Sequence, residues 1–154
     1  MTESFAPGQS IPSISRPISI MKKHDLFLSH HTIRPMINLA RVYDKNHAGA
    51  GIRILVDKLW PRGLSKADLK LDNWAKEIAP SDELRKWFGH EPAKWEAFKL
   101  RYFAELDHNP NTDDFVELCK GKEVTFLYSS KEDRFNNAVA LREYVQKKIS
   151  GINK

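Results

Sequence analysis

The chain contains a single cysteine, Cys119, so neither an internal disulfide nor a thiolate metal cluster is available to it. Cys119 ends the apolar stretch FVELC and reads as a small buried hydrophobe, not as a nucleophile. Long hydrophobic runs are also missing, and the longest are too short for a membrane-spanning helix. Residues 1–20 carry Ser and Pro in place of the apolar segment of a secretory signal, so the expected location is the cytoplasm. There is no Walker-type phosphate loop, no GxGxxG, no HExxH, no GxSxG and no zinc-deaminase or zinc-finger spacing. His24, His30 and His31 lie close together without paired carboxylates or cysteines, and read as a solvated connector. No metal and no cofactor is expected.

Neither sign of charge dominates. The 25 Lys and Arg residues face 20 Asp and Glu, for a net charge of +5. Residues 1–37 hold four of those cations against two acids, which leaves 21 against 18 for the remainder. So mild an excess argues against a dense nucleic-acid surface and leaves anionic small ligands open.

What is present is organised around residues 51–63, GIRILVDKLWPRG. Ile52, Ile54, Leu55 and Val56 suit a buried strand, and Pro61 with Gly63 turns the chain sharply after it. Residues 1–36 read as a flexible or peripheral extension, because a Pro- and Ser-rich leader offers little apolar area against its ordering entropy. Residues 24–35 contain Leu26, Phe27, Leu28 and Ile33, which could dock on the domain. The folded domain is expected over 37–150. A first short strand falls in MINLARVY (36–43), and another core strand in VTFLY (124–128), with one more short strand allowed within 69–78.

Helix signals lie between and after these strands. Ser65 and Asp68 have capping-box spacing, and Ser81 is placed to cap SDELRKWF before Gly89. Pro92 opens a helix to about residue 106 with the stripe Trp95, Phe98, Tyr102, Leu106. That stripe reads first as a face packed on a sheet, and otherwise as an exposed platform. Asn111 and Asp114 are candidate caps for a helix stopped by Gly121. Ser130 and Asp133 have the spacing to cap a last helix, about 133–149, with Ala138, Leu141, Val145 and Ile149 on one face. This order predicts an α/β fold: a small single-domain sheet of mostly parallel core strands covered by helices, with homodimerisation as an alternative way to complete the burial.

Two strand ends carry polar residues, DKLWPRG from Asp57 and SSKEDRFNN from Ser129. If the strands are parallel, both ends meet at the carboxyl edge of the sheet, where open α/β folds bind ligands. Arg62 could clamp a carboxylate or phosphate, Lys58 and Lys131 add positive charge, and Trp60 would wall the pocket. Asp57 is a candidate base or orienting group, although an Asp57–Arg62 pair supporting the turn is an equal reading. His90, between two helices, is a candidate acid–base group or helix cap. Arg85 reads first as surface, with reach into the site as the alternative. Ser129 and Ser130 follow a strand but have no elbow glycines.

Several of these stretches resemble one family. RVYD from Arg41, LVDKLWPRG from Leu55, WAKEIAP from Trp74, LRKWFGH from Leu84 with Pro92, Trp95 and Phe98 beyond it, TFLY from Thr125 and NNAV from Asn136 are similar to the YeaO-like branch of the DUF488 family. The resemblance covers roughly residues 37–149 and implies a compact α/β domain without implying a reaction. Family members commonly carry Arg where Lys58 stands, and His or Asn at position 136. In more distant members a Cys-His pair lies where Asn136 and Asn137 stand here, which puts thiol chemistry in doubt and adds both asparagines to the candidate ligand contacts. The leading functional expectation is an anionic small molecule or nucleotide-like ligand bound at the two strand ends, with catalysis open. The alternatives are nucleic-acid binding through the aromatic–basic runs at Lys86–Phe88 and Lys94–Lys99, and a protein-interaction module.

Overall fold

The computed structural model describes residues 36–44 and 51–151. The leader, the segment 24–35 and the cluster His24, His30 and His31 lie outside the described residues. Among the described residues four strands follow in the order β1 (Met36–Arg41), β2 (Ile52–Leu55), β3 (Asn73–Trp74) and β4 (Glu123–Tyr128). In the sheet they stand as β1-β4-β2-β3, and every pairing is parallel. The sheet is a small parallel one, with helices in the connections from β2 to β4 and a last helix after β4, as the alternation of apolar strands and helical stretches predicts.

Register explains which side chains meet. Ile37 and Ile52 flank Val124, and Leu39 and Ile54 flank Phe126, so one face is continuously apolar. On this face Val124, Phe126, Ile54 and Val56 are completely buried. The next residues along each strand point to the opposite face. There Ala40 and Leu55 flank Leu127, which packs in a smaller cluster with Val42 and Leu69 and is bordered by Trp60, Leu64, Leu71 and Trp74. Gly51 leads into β2 at φ +78°, and a Cβ there would run into the backbone carbonyl of Glu123. Only glycine suits both the backbone angle and the close approach.

The larger apolar face is covered by α2 (Asp82–Phe88), α3 (Trp95–Asp107), α4 (Thr112–Cys119) and α5 (Asn137–Ser150), while the one-turn α1 (Lys66–Leu69) serves the smaller face. In α3 the stripe points inward: Phe98, Tyr102 and Leu106 are buried and Trp95 packs against them. The buried Tyr102 hydroxyl donates to Ile78 O at 2.7 Å. Cys119 is fully buried, and burial pushes its thiol up to about 12.

Sequence signals locate most helix ends. Ser65 and Asp68 form the expected capping box, and Ser81 Oγ accepts from Leu84 N at 3.1 Å. Gly89 ends α2 in the left-handed region. Three ends differ from the expectation. The helix after Pro92 begins as a 3-10 turn (Pro92–Lys94) before α3. The side chain of Asn111 makes no capping bond to α4. The last helix starts at Asn137 rather than near 133, because Asn136, not Ser130, accepts from its first turn, at Val139 N. Ser130 instead closes a local turn by accepting from Glu132 N.

Candidate functional site

Parallel pairing sends the carboxyl ends of β1, β2 and β4 to one edge, and a cleft of about 620 Å³ opens there. That volume falls in the range of small-molecule sites. Three stretches build its walls: the β2 exit, from Asp57 to Arg62; the β4 exit, from Ser129 to Lys131; and the end of α2, from Arg85 to His90. Arg41 and Tyr43 close the β1 side, and Asn137 reaches in from the start of α5.

Asp57 holds these exits together. Its Oδ2 accepts from Ser129 N at 2.8 Å and from Ser129 Oγ at 2.7 Å. Asn137 Nδ2 donates to Asp57 Oδ1 at 3.1 Å and to Val56 O at 3.0 Å. Trp74 Nε1 donates to the Asp57 carbonyl at 2.9 Å. The carboxylate therefore joins β2, β4 and α5 through three donors. The alternative sequence reading, an Asp57–Arg62 pair, is not what the structure shows: the Arg62 contact to the fold runs through its backbone carbonyl, which accepts from Tyr43 OH at 2.8 Å.

The cleft is lined by six cationic side chains, Arg41, Lys58, Arg62, Arg85, Lys86 and Lys131, and by one carboxylate, that of Asp57. Arg41 is anchored, its Nε donating to Ser129 O at 3.2 Å and Ser130 O at 2.8 Å. Arg85 reaches Asp82 Oδ1 at 3.1 Å. That hydrogen bond, followed by the charge of Lys58, lowers the Asp82 pKa below its ordinary value. Lys58, Lys86, Lys131 and the Arg62 guanidinium make no hydrogen bond or ion pair among the described residues. Four cations at one concave surface, none of them hydrogen-bonded or ion-paired to a carboxylate, create a potential that attracts anions.

His90 stands at the rim with φ +58°, directly after the left-handed Gly89. Its Nδ1 lies 3.0 Å from Phe135 O, and a carbonyl can only accept, so Nδ1 carries the proton. The ring also lies 5.4 Å from that of Phe88. Among the described residues no histidine nitrogen bonds the hydroxyl of Ser129 or Ser130, so a serine–histidine pair is not formed. Nor do three His, Cys, Asp or Glu side chains gather at one point among the described residues.

Of the residues singled out in sequence, Asp57, Lys58, Trp60, Arg62, His90, Lys131 and Asn137 all line this cleft. Trp60 also serves the fold, donating from Nε1 to Leu64 O at 2.7 Å and meeting Trp74 edge to face. Asn136 does not line the cleft. It is fully buried and caps α5. Arg41 and Lys86 complete the cationic wall without having been candidates, and Arg85, read first as surface, also lines the cleft. Arg41 was accessible to the same argument as Asp57, since it ends a strand at the same edge. Arg85 and Lys86 depend on how α2 is rotated over the sheet, which its sequence alone does not fix.

The aromatic–basic runs also acquire a local explanation. Phe88 and Phe98 are buried and stacked at 4.1 Å. Arg101 and Lys94 lie over the half-buried Trp87 ring at 4.1 and 5.0 Å, and Lys99 lies over Trp95 at 5.4 Å. These cations cover aromatic faces of their own chain. No helix among the described residues is long and apolar enough to cross a membrane.

The chain is similar to the uncharacterized protein YeaO of Escherichia coli (strain K12), with 43% identity over 111 residues that cover 71% of this chain and 96% of that protein. It is also similar to the uncharacterized protein Rv3073c of Mycobacterium tuberculosis, with 33% identity over 107 residues covering 70% of this chain and 91% of that one. An uncharacterized Mycobacterium bovis protein, Mb3100c, matches to the same extent. No solved structure matches. Residues 36–153, which take in the whole sheet and every wall of the cleft, match DUF488-N3i, the inactive DUF488-N3 subclade, and the chain belongs to that family.

Proposed function

We propose that this protein binds an anionic small molecule, of the nucleotide or small-phosphate kind, in the cleft at the carboxyl edge of its sheet, and that it holds the ligand without transforming it. The observation that carries this reading is the charge of the lining, six cationic side chains against one carboxylate. Four of the cations keep their hydrogen-bonding capacity for a ligand. Asp57 is unsuited to act as a base, because three donors from β4 and α5 already occupy its oxygens. The description of the family as an inactive subclade supports binding without turnover. Tyr43, with 40% of its surface exposed, and Trp60 offer an apolar flank for the uncharged part of such a ligand.

The reading is tested by isothermal titration of the full chain with AMP, ATP and inorganic pyrophosphate, beside the double variant Lys58→Ala/Arg62→Ala. Saturable binding to the wild type, weakened at least about tenfold in the variant, is expected from the loss of two charge-assisted contacts. Equal affinity of the two proteins would remove the cleft as the binding site. If an oligonucleotide binds with a steep salt dependence while the small phosphates do not, the nucleic-acid alternative replaces this one.

A further inference from the structure

Arg85 is arranged differently from the other cations of the cleft. It sits on the fourth residue of α2, three residues after Asp82, whose carboxylate it meets through one terminal nitrogen at 3.1 Å. Both side chains are well exposed, 40% for Arg85 and 56% for Asp82, so this ion pair is weak and screened. The price is an orphaned donor. Arg85 Nε is shut off from solvent, and among the described residues it makes no hydrogen bond. A buried N–H without a partner is unfavourable, and native folds rarely keep one without a use.

Arg62, whose guanidinium makes no bond among the described residues, is an exposed residue. Arg41 spends its Nε on two loop carbonyls, and Arg53 donates from Nε to Leu69 O at 3.1 Å. Among the described residues only Arg85 combines an unbonded Nε shut off from solvent with a terminal nitrogen held by an exposed carboxylate. That is a guanidinium fork with one tine idle and the other weakly occupied. Rotation of the side chain toward the cleft would present both donors to the two oxygens of one oxyanion, in the parallel geometry that guanidinium favours. Lys58 and Lys86 line the same cleft, and their fields already act on Asp82. A dianion arriving there would meet the fork with two ammonium groups beside it.

We propose that Arg85 is the residue that grips the ligand's phosphate, and that Asp82 holds it in reserve until the phosphate arrives. This rests on the reading of the cleft as an anion site and names the group recognised there, a terminal phosphate that takes two hydrogen bonds from one guanidinium. A monocarboxylate supplies the same two oxygens with half the charge, and so binds more weakly beside Lys58 and Lys86.

The test uses the full chain titrated with inorganic pyrophosphate, and with acetate as the carboxylate probe. Arg85→Lys keeps the charge and loses the fork, so affinity for pyrophosphate is expected to fall about tenfold, with acetate weak throughout. Asp82→Asn releases the fork and is expected to tighten pyrophosphate binding roughly threefold in the wild-type background and not in the Arg85→Lys background. A purely structural Arg85 would leave the pyrophosphate affinity of Arg85→Lys unchanged, and that result overturns the proposal while the cleft reading stands. Absence of pyrophosphate binding to the wild type overturns both. Asp82→Asn tightening equally in the two backgrounds shows a general charge effect, and also counts against Arg85. Because Arg85 Nε contributes no bond to the unliganded fold, melting of Arg85→Lys without ligand is expected to match the wild type, which separates a lost grip from a lost fold.

Discussion

Ser129 donates twice to the same oxygen of Asp57, from its backbone N–H at 2.8 Å and its hydroxyl at 2.7 Å. The two residues sit on the exits of β2 and β4, the central pair of the sheet. A charged acceptor holding two donors from the neighbouring strand end fixes the spacing of two loops that also form the cleft. With Asn137 on its other oxygen, Asp57 is the strut of the carboxyl edge. Replacing it should therefore be felt first as stability.

Asp57→Ala leaves Ser129 N–H, Ser129 O–H and one Asn137 amide proton without their acceptor in a half-buried site. The expected loss is about 2–3 kcal/mol, the scale for removing a charged acceptor from buried donors. Urea unfolding followed by tryptophan fluorescence measures it. A variant as stable as the wild type would mean the carboxylate is not a strut and would return Asp57 to the list of chemical groups.

Gly51 tests the parallel pairing itself. A Cβ at this position collides with the Glu123 carbonyl at the start of β4, and the backbone angle is one that alanine tolerates poorly. Gly51→Ala should cost roughly 3 kcal/mol or more, since the obstacle is backbone rather than a flexible side chain. Gly63→Ala provides the control: it has a similar φ of +77° but open space around the added methyl, so it should cost only the backbone strain, about 1 kcal/mol. Equal losses at the two sites would show that the approach of β2 to β4 is looser than described.

Alkaline pH should weaken the fold through Cys119. Burial raises its thiol from an ordinary value of 9.0 to about 12. A group whose pKa is raised on folding stabilises the fold fully below the unfolded value, and that contribution is lost as pH climbs through the folded value. The window is thus about pH 9 to 12. Burial also raises the buried Tyr102, so its loss of stability falls in the alkaline range too. Melting temperature should fall steadily above pH 9, and less steeply in Cys119→Ala. In native protein at pH 8 the thiol should resist a thiol-specific reagent that modifies it at once in denaturant; rapid modification of the folded chain contradicts the burial.

The parallel core was legible because Ile52–Val56 and Val124–Tyr128 are apolar at every position but Arg53 and Thr125, the signature of strands covered from two sides. Strand β3 was visible only as a gap to be filled, since two residues, Asn73 and Trp74, carry no period of their own. The edge that gathers Asp57, Arg62 and Lys131 follows from parallel pairing alone. Arg85 and Lys86 could not be placed that way, because the burial of Leu84 and Phe88 sets the rotation of α2 and only the folded core defines it. The start of α5 was misjudged for a different reason. Ser130 and Asp133 have the spacing of a capping box, and spacing does not reveal that Glu132 turns the loop by accepting from Arg134 and Phe135 N–H.

Asn136 offers a direct separation between a cap and a ligand contact. Its Oδ1 accepts from Val139 N at 3.0 Å and its Nδ2 donates to Glu132 O at 2.7 Å, in a position with no exposed surface. Asn136→Ala removes both bonds and should destabilise by about 2 kcal/mol, from the helix cap and the orphaned carbonyl together. Asn136→Ser keeps a capping oxygen but cannot reach Glu132 O, so it should recover about half of that loss. Measured at a temperature where both variants are folded, pyrophosphate affinity should equal that of the wild type, because Asn136 does not line the cleft. Asn137→Ala is the contrast. It lines the cleft and holds Asp57, so its loss should disturb stability and affinity together. Weaker binding in Asn136→Ser at full occupancy of the folded state would show that the first turn of α5 reaches the ligand after all.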